Sequence, residues 1–447
     1  MEALISYISF LPLIVCLIIW GVKRNFALSV TSSFFVASFF TMQIFSFKGF
    51  SMQVIVASVS ILLFYKYNLF KGNNNSFLRK NYYTILIIAI FFFFSNLIFC
   101  SEIKMSARET LMVSLKNICP FILSLIIVSL FNTIRETSFV AKVILIIASI
   151  SSIYSIYCYY LGYNPFTIIT QTMFDFVVDK SETERGELLG RAQGFLSHPL
   201  HLAGSLLCAL YIAQLLMIYT FHKVGKVFLL ISIVLCAYAM ILTGARSAIV
   251  AACFGFGLYY TINSGKKLPL YLVLLICIFY IFEVDKYINS DKGSLLYAVT
   301  HIFEQNDEIG GSSVELRLEQ LNGTVDMVLS DVQTCLFGKG TNWCYQYSAK
   351  QGLHPILAGF ESILFKWPIE YGIIGFALFV LIVFVKPFFI FKITNRRDKG
   401  ILFFKCSIAS FLTFAIMTGH YAIELFIISI ALMAKIISLN EFKNKEI

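Results

Sequence analysis

The stretch from Tyr82 to Cys100 reads YYTILIIAIFFFFSNLIFC, nineteen residues without a charge. At about 1.5 Å per residue a helix of that length matches the roughly 30 Å hydrocarbon core of a bilayer. Hydrocarbon offers nothing to backbone N–H and C=O groups, so such a run must be a helix bonded within itself. Comparable runs lie near 4–22, 26–47, 50–65, 117–131, 139–161, 199–220, 224–243, 246–262, 268–283, 368–391, 402–418 and 421–438. About thirteen helices are expected, within a range of 11–14, and the fold class is all-α, a polytopic integral membrane helical bundle. The short alternating strands of a transmembrane barrel are excluded. The run from Met1 to Val22 has no basic segment ahead of it and no small-residue cleavage site, so it is expected to be a retained span.

Composition agrees. Of 447 residues 58% are hydrophobic and only 13% charged, too little polar surface for a water-soluble domain. The 46 Phe and 23 Tyr suit lipid-facing surfaces and interfacial belts. Two segments are too polar to span, 162–198 and the much longer 284–367. They divide the chain into N-terminal transmembrane helices (1–161), an extracytoplasmic segment (162–198), central helices (199–283), a large extracytoplasmic loop region (284–367) and C-terminal helices (368–447).

The net charge of +10 would suggest nucleic acid in a soluble protein. Here it has a topological explanation, and no nucleic-acid partner is expected. Alternate loops hold Lys23 and Arg24; Lys66, Lys71, Arg79 and Lys80; Arg135 and Lys142; Lys223 and Lys226; Lys266 and Lys267; Lys392, Arg396, Arg397 and Lys399; and Lys443 with Lys445. These outnumber the cations of the opposite short loops, Lys48, Lys104, Arg108, Lys116, Lys180, Arg185, Arg191 and Arg246, by more than two to one. Cytoplasmic loops are the Lys- and Arg-rich ones, so both long polar segments are expected on the outer face. Cys335 and Cys344 share the longer one. They could pair in an oxidising compartment, although two free thiols are the preferred reading.

Three stretches differ from ordinary spans. Gly190 to Pro199 carries Arg191 just ahead of a helix opened by Pro199; a cation beside free helical N–H groups makes an anion receptor, the alternative being an interfacial Arg reaching for headgroups. Leu242-Thr243-Gly244-Ala245-Arg246-Ser247 is a tight turn of small residues with a second Arg at the outer boundary. The third runs from Arg317 through Gly338-Lys339-Gly340 to His354, Glu361 and Glu370-Tyr371-Gly372-Ile373-Ile374-Gly375. His198 and His201 have no evident third ligand, and packing is preferred over a zinc site. With no P-loop, Rossmann fingerprint or Asp-x-Asp motif, nucleotide substrates are disfavoured and neither metal nor cofactor is expected.

In this order the motifs resemble the bacterial O-antigen polymerase and ligase superfamily over roughly residues 185–390. The resemblance rests on the Arg before a helix-opening segment at Arg191, Leu-Thr-x-x-Arg-Ser at Arg246, an outer-loop Arg at Arg317, Gly-x-Gly at Gly338 and Gly340, and Glu-x-Gly-x-x-Gly from Glu370. Ligases of the family carry His-Asn about nine residues before the closing Glu. This chain has Glu361-Ser362 there, with His354 seven residues earlier.

The resemblance implies metal-independent, inverting glycosyl transfer from a polyprenyl-diphosphate donor at the outer face of the cytoplasmic (inner) membrane. Arg191 and Arg246 would stabilise the leaving diphosphate, since guanidinium groups bind phosphate oxygens through a planar fork. His354 or Glu361 would take the acceptor's proton. Arg317 would position substrate, an ordinary salt bridge being the alternative, and Gly338 and Gly340 would contribute to substrate binding. The function expected is polymerisation of O-antigen or capsular repeat units on undecaprenyl diphosphate. The alternatives are ligation to the lipid A core of lipopolysaccharide and, less favoured, a flippase of lipid-linked sugars, which would hold ionisable groups near the midplane. Partners would be polyprenyl-diphosphate-linked oligosaccharides, membrane lipids and a chain-length regulator.

Overall fold

A computed structural model describes residues 10–40, 52–66, 77–98, 107–166, 191–196, 198–219, 223–265, 314–341, 343–344, 362–392, 398–419 and 422–445. For 52, 64, 94–98, 107–110, 314–319 and 441–445 the description is of the main chain alone. All regular structure among these residues is helical: α1 (Leu11–Lys23), α2 (Phe26–Ala37), α3 (Met52–Lys66), α4 (Phe77–Ile98), α5 (Ala107–Leu130), α6 (Ile134–Leu161), α7 (Pro199–Tyr219), α8 (Lys223–Leu242), α9 (Arg246–Ser264), α10 (Val314–Val328), α11 (Val332–Phe337), α12 (Ile363–Val380), a π-helical turn at Leu381–Val385, α13 (Lys386–Phe389), α14 (Lys399–Thr418) and α15 (Ile423–Lys445). Among the described residues seven helices are long and apolar enough to cross a membrane, with shorter apolar helices at Leu11–Lys23, Phe26–Ala37 and Gln53–Leu63. The chain is a multi-pass membrane protein. The expected span at 268–283 lies outside the described residues.

The spans are held by close approach rather than by hydrophobic force, since lipid tails are as apolar as the side chains. α9 meets α14 where Gly255 faces Ser410; a Cβ on Gly255 would lie 2.5 Å from that of Ser410. Ser410 in turn hydrogen-bonds the Ala251 carbonyl and the Tyr211 hydroxyl. α2 has only 12 residues and eleven of them are buried. Two of its hydroxyls are satisfied inside the helix, Thr31 donating to Ala27 O at 2.8 Å and Ser33 to Val30 O at 2.9 Å, which lets these polar residues occupy the interior.

Side-chain bonds between helix ends sort the loops into two faces. On one, the Asn25 amide donates to Glu136 Oε1 (3.0 Å), Gly400 meets the Tyr219 ring, and Lys435 Nζ donates to Val128 O (2.7 Å) near the end of α5. On the other, Gln53 donates to Glu424 (3.4 Å) and the Ser362 hydroxyl to Ile416 O (2.6 Å). The first face carries Arg24, Arg135 and Lys399, all in loops rich in Lys and Arg.

α12 departs from the hydropathy reading. The expected span at 368–391 begins earlier, at Ile363, because Ser362 caps it by accepting Leu364 N–H (3.1 Å). The helix passes Pro368 and breaks at Gly372, whose φ of 68° and ψ of 179° belong to a region that essentially only glycine occupies.

Candidate functional site

Arg191 lies against the turn between α8 and α9. Its Nε–H donates to the Thr243 carbonyl at 3.0 Å and the next residue, Ala192, donates its N–H to Leu242 O at 3.0 Å. The turn is shaped for this contact. Thr243 folds its hydroxyl onto Met240 O (2.6 Å) and accepts Ala245 N–H (3.2 Å). Gly244 takes a φ of 64°, and a Cβ there would stand 3.3 Å from Arg191 Nε. Two residues later Arg246 opens α9, at the positive end of a helix dipole, which favours an anion. The two arginines singled out in the sequence are therefore brought to one turn, both part-buried.

A second set of contacts, which sequence reading did not isolate, holds the Arg191 segment in place. Phe195 stacks on Tyr154 of α6 with ring centroids 4.1 Å apart and planes 3° from parallel, and on Phe40 at 4.7 Å. Asn164 donates to Gly194 O (2.7 Å) and accepts from the Tyr154 hydroxyl (3.0 Å) and from Phe166 N–H (3.1 Å). Gly194, at φ 64°, nestles so close to α6 that a Cβ would lie 2.5 Å from Ser155 Oγ. The one available signal was Asn164-Pro165, a turn-forming pair; aromatic residues among so many others carried none. His198 caps α7, its Nδ1 accepting Leu200 N–H at 3.0 Å.

The third stretch forms a joint between α11 and α12. Asp331 caps α11, accepting Thr334 N–H (2.7 Å) and the Thr334 hydroxyl (2.6 Å), and these bonds hold its carboxyl below the usual range. At the far end Gly338 has φ 77° and ψ −177°. Just beyond it Lys339 N–H donates to Ile369 O (2.7 Å) and Gly340 N–H to Glu370 O (2.9 Å). These are carbonyls of the turn before the Gly372 break, so the loop satisfies acceptors at a discontinuity of the helix. The two glycines face each other. A Cβ on Gly338 would fall 2.5 Å from the Glu370 carbonyl, and one on Gly372 would fall 2.5 Å from Phe337 N.

Around this joint Val328, Trp343, Cys344 and Ile369 form a small core. Glu370 is 3% exposed, with Lys366 Nζ 3.9 Å away and a hydrogen bond to the Cys344 thiol. Burial, and then the Glu370 carboxylate, push that thiol well above its ordinary pKa. Cys335 and Cys344 are both free thiols. Lys339 Nζ stands 5.2 Å from the Trp343 ring centroid, an ordinary cation–π distance. Gly338 and Gly340 are thus placed in a main-chain joint. Arg317 lies on α10, of which the main chain is described at that point; His354 and Glu361 lie outside the described residues. Among the described residues no three of His, Cys, Asp and Glu come together in a way that could hold a metal ion.

A family model described as O-Antigen ligase matches residues 231–380. That range contains the Thr243–Arg246 turn, Arg317 and both halves of the glycine joint, and Arg191 rests against it. Comparison with curated proteins gave no match, and comparison with solved structures gave none either.

Proposed function

Residues 231–380 form a domain of the O-antigen polymerase and ligase superfamily, and from that premise we propose that the protein polymerises lipid-linked glycan repeat units at the outer face of the bacterial cytoplasmic membrane. The donor is a glycan on undecaprenyl diphosphate, and the acceptor is the non-reducing end of a second lipid-linked repeat. The observation carrying this reading is Arg191 fastened through Nε to the turn that leads into Arg246. A guanidinium tied at one nitrogen has a fixed plane, which is what bidentate recognition of diphosphate oxygens needs.

In the proposed step an acceptor hydroxyl oxygen attacks the anomeric carbon from the face opposite the diphosphate. The bond from that carbon to the phosphate oxygen breaks, and its electron pair leaves with the diphosphate. Arg191, Arg246 and the N-terminus of α9 meet the growing negative charge, while His354 or Glu361 accepts the hydroxyl proton. Preorganised donors aimed at developing charge require no reorganisation as it appears. Arg317 positions substrate, and no metal is required.

Ligation to a lipid A core is the second reading, favoured by the description of the matching family. It shares every step and differs in acceptor. Purified protein in nanodiscs, given undecaprenyl-diphosphate-linked repeats in EDTA, is expected to lengthen the glycan. Transfer only when lipid A core is added identifies a ligase. Activity abolished by EDTA and restored by Mg²⁺ overturns the metal-independent mechanism.

A further inference from the structure

The helices of the polar segment 284–367 that are described, α10 and α11, carry an apolar row on their outer side. On α10 the side packed against the protein buries Gln320 (2% exposed) and Thr324 (3%) along with Val328 (5%), while Leu321, Val325 and, just past its end, Leu329 form a row at i, i+4, i+8 that faces outward, Leu329 being 63% exposed. The row continues into α11 with Val332, 77% exposed, and Leu336. Beside it runs a second exposed row, Asn322, Asp326 and Ser330. A helix bathed in water on its outer side would place these residues the other way round, and an exposed apolar row next to a polar one is the pattern of a helix at a boundary between water and an apolar medium.

Depth supports the same conclusion. The stretch Ile363–Phe389 has 27 residues, about 40 Å of helix against a hydrocarbon core of about 30 Å. Counting about 20 residues back from Phe389 reaches Ile369 and Glu370. Those are the residues whose carbonyls accept Lys339 and Gly340. α11 is therefore joined to α12 at the level where hydrocarbon gives way to headgroups. α12 exposes Leu364, Ile373 and Ile374 above and below that level, so the apolar row is continuous in height with a lipid-facing span.

We propose that α10 and α11 lie in the outer leaflet, with Leu321, Val325, Leu329, Val332 and Leu336 among the acyl chains and Asn322, Asp326 and Ser330 toward water. The occupant of this face is the bilayer itself. An in-plane helix of this kind buries its apolar side by about 5–10 Å, which suits a row one side chain deep. Asp331 stands at the bend between the helices and is already bonded twice to Thr334, which reduces the penalty of placing a carboxylate near the boundary. The inference does not depend on the proposed activity.

The test uses the wild-type chain in nanodiscs holding one copy each, made of phosphatidylethanolamine and phosphatidylglycerol and doped with a phospholipid carrying an acyl-chain diazirine. After irradiation, adducts are mapped by mass spectrometry, with Val234 on the exposed side of α8 as the reference for lipid contact. Adducts are expected on the apolar row at a yield comparable to Val234, single cysteines placed at 322, 326 and 330 are expected to react with an impermeant maleimide, and Leu329 and Val332 are expected to resist hydroxyl-radical oxidation. The double variant Leu329→Asp, Val332→Asp should lose the adducts on residues 321–336 and keep those at Val234. Absence of wild-type adducts on the row, or free oxidation of Leu329 and Val332 in single-copy discs, overturns the proposal. So does protection that appears only when two copies share a disc, which would make the occupant a second chain.

Discussion

Alanine at Gly338 or at Gly372 should open the joint between α11 and α12. The new Cβ at either position would collide with main-chain atoms of the partner segment rather than with a side chain that could swing aside. Both glycines also hold backbone angles that cost other residues about 1–3 kcal/mol. Relief requires separating the segments, which sacrifices the two hydrogen bonds from Lys339 and Gly340, each worth about 0.5–1.5 kcal/mol net. The sum is about 2–6 kcal/mol, or roughly a thirtyfold to twenty-thousandfold increase in local opening at about 1.4 kcal/mol per decade. The reporter is Cys344, buried in the small core and held protonated by burial and by Glu370. Its alkylation, followed by peptide mapping so that the other thiols do not interfere, should accelerate in both variants. The double variant should gain little over either one, since one joint is being broken. Gly21→Ala, where nothing lies within 4 Å of the new atom, is the control. Unchanged Cys344 protection in Gly338→Ala, with an unchanged unfolding temperature, would refute the reasoning.

Lys in place of Arg191 or Arg246 keeps the charge and loses the fork, so glycan transfer in nanodiscs should fall substantially. Ala at either position should cost roughly a hundredfold to a thousandfold in kcat, with insertion checked by size-exclusion chromatography. Phe195→Ala removes the stack on Tyr154, worth about 1 kcal/mol beyond burial, and should lower activity without touching Arg191, while Phe195→Tyr restores it. Stability at Asp331 depends on pH in a defined direction: because folding lowers its carboxyl pKa, its contribution is complete above the unfolded value of about 3.9. It is lost as pH falls through the lower folded value, so Asp331→Ala should speed Cys344 alkylation at neutral pH and differ little from wild type in acid. Cysteines placed at Asn74 and Ser330 should label from opposite sides of the membrane, with impermeant maleimide on spheroplasts reaching only position 330.

The seven described helices long and apolar enough to span were legible because hydrocarbon makes one demand of a sequence, and unbroken apolar runs meet it. The start of α12 was missed because hydropathy does not register Ser362, a cap that acts through one hydroxyl. The loops at Arg24 and Arg135, which Asn25 and Glu136 bring together, are two that the sequence marks as rich in Lys and Arg. In the site, the Thr243–Arg246 turn stood out, since small residues flanking a cation at a boundary are unusual. That Arg191 would fold onto it was not predictable from either stretch, because the contact joins Nε to a main-chain carbonyl 52 positions away. Gly338 and Gly372 were visible as motif residues, yet their contact was hidden: glycine offers no side chain from which a partner could be guessed. The outward apolar row of α10 was hidden too, since the sequence shows which residues are apolar and not which side of the helix the protein covers.

The joint at Gly372 is made of main-chain atoms on both sides. Its geometry is therefore set by two glycines and two amide-to-carbonyl bonds. An exchange of side chain at Lys339, Thr341 or Lys366 removes contacts around the joint but leaves the donors and acceptors that define it in place, so the two segments act as one mechanical unit whatever those positions carry.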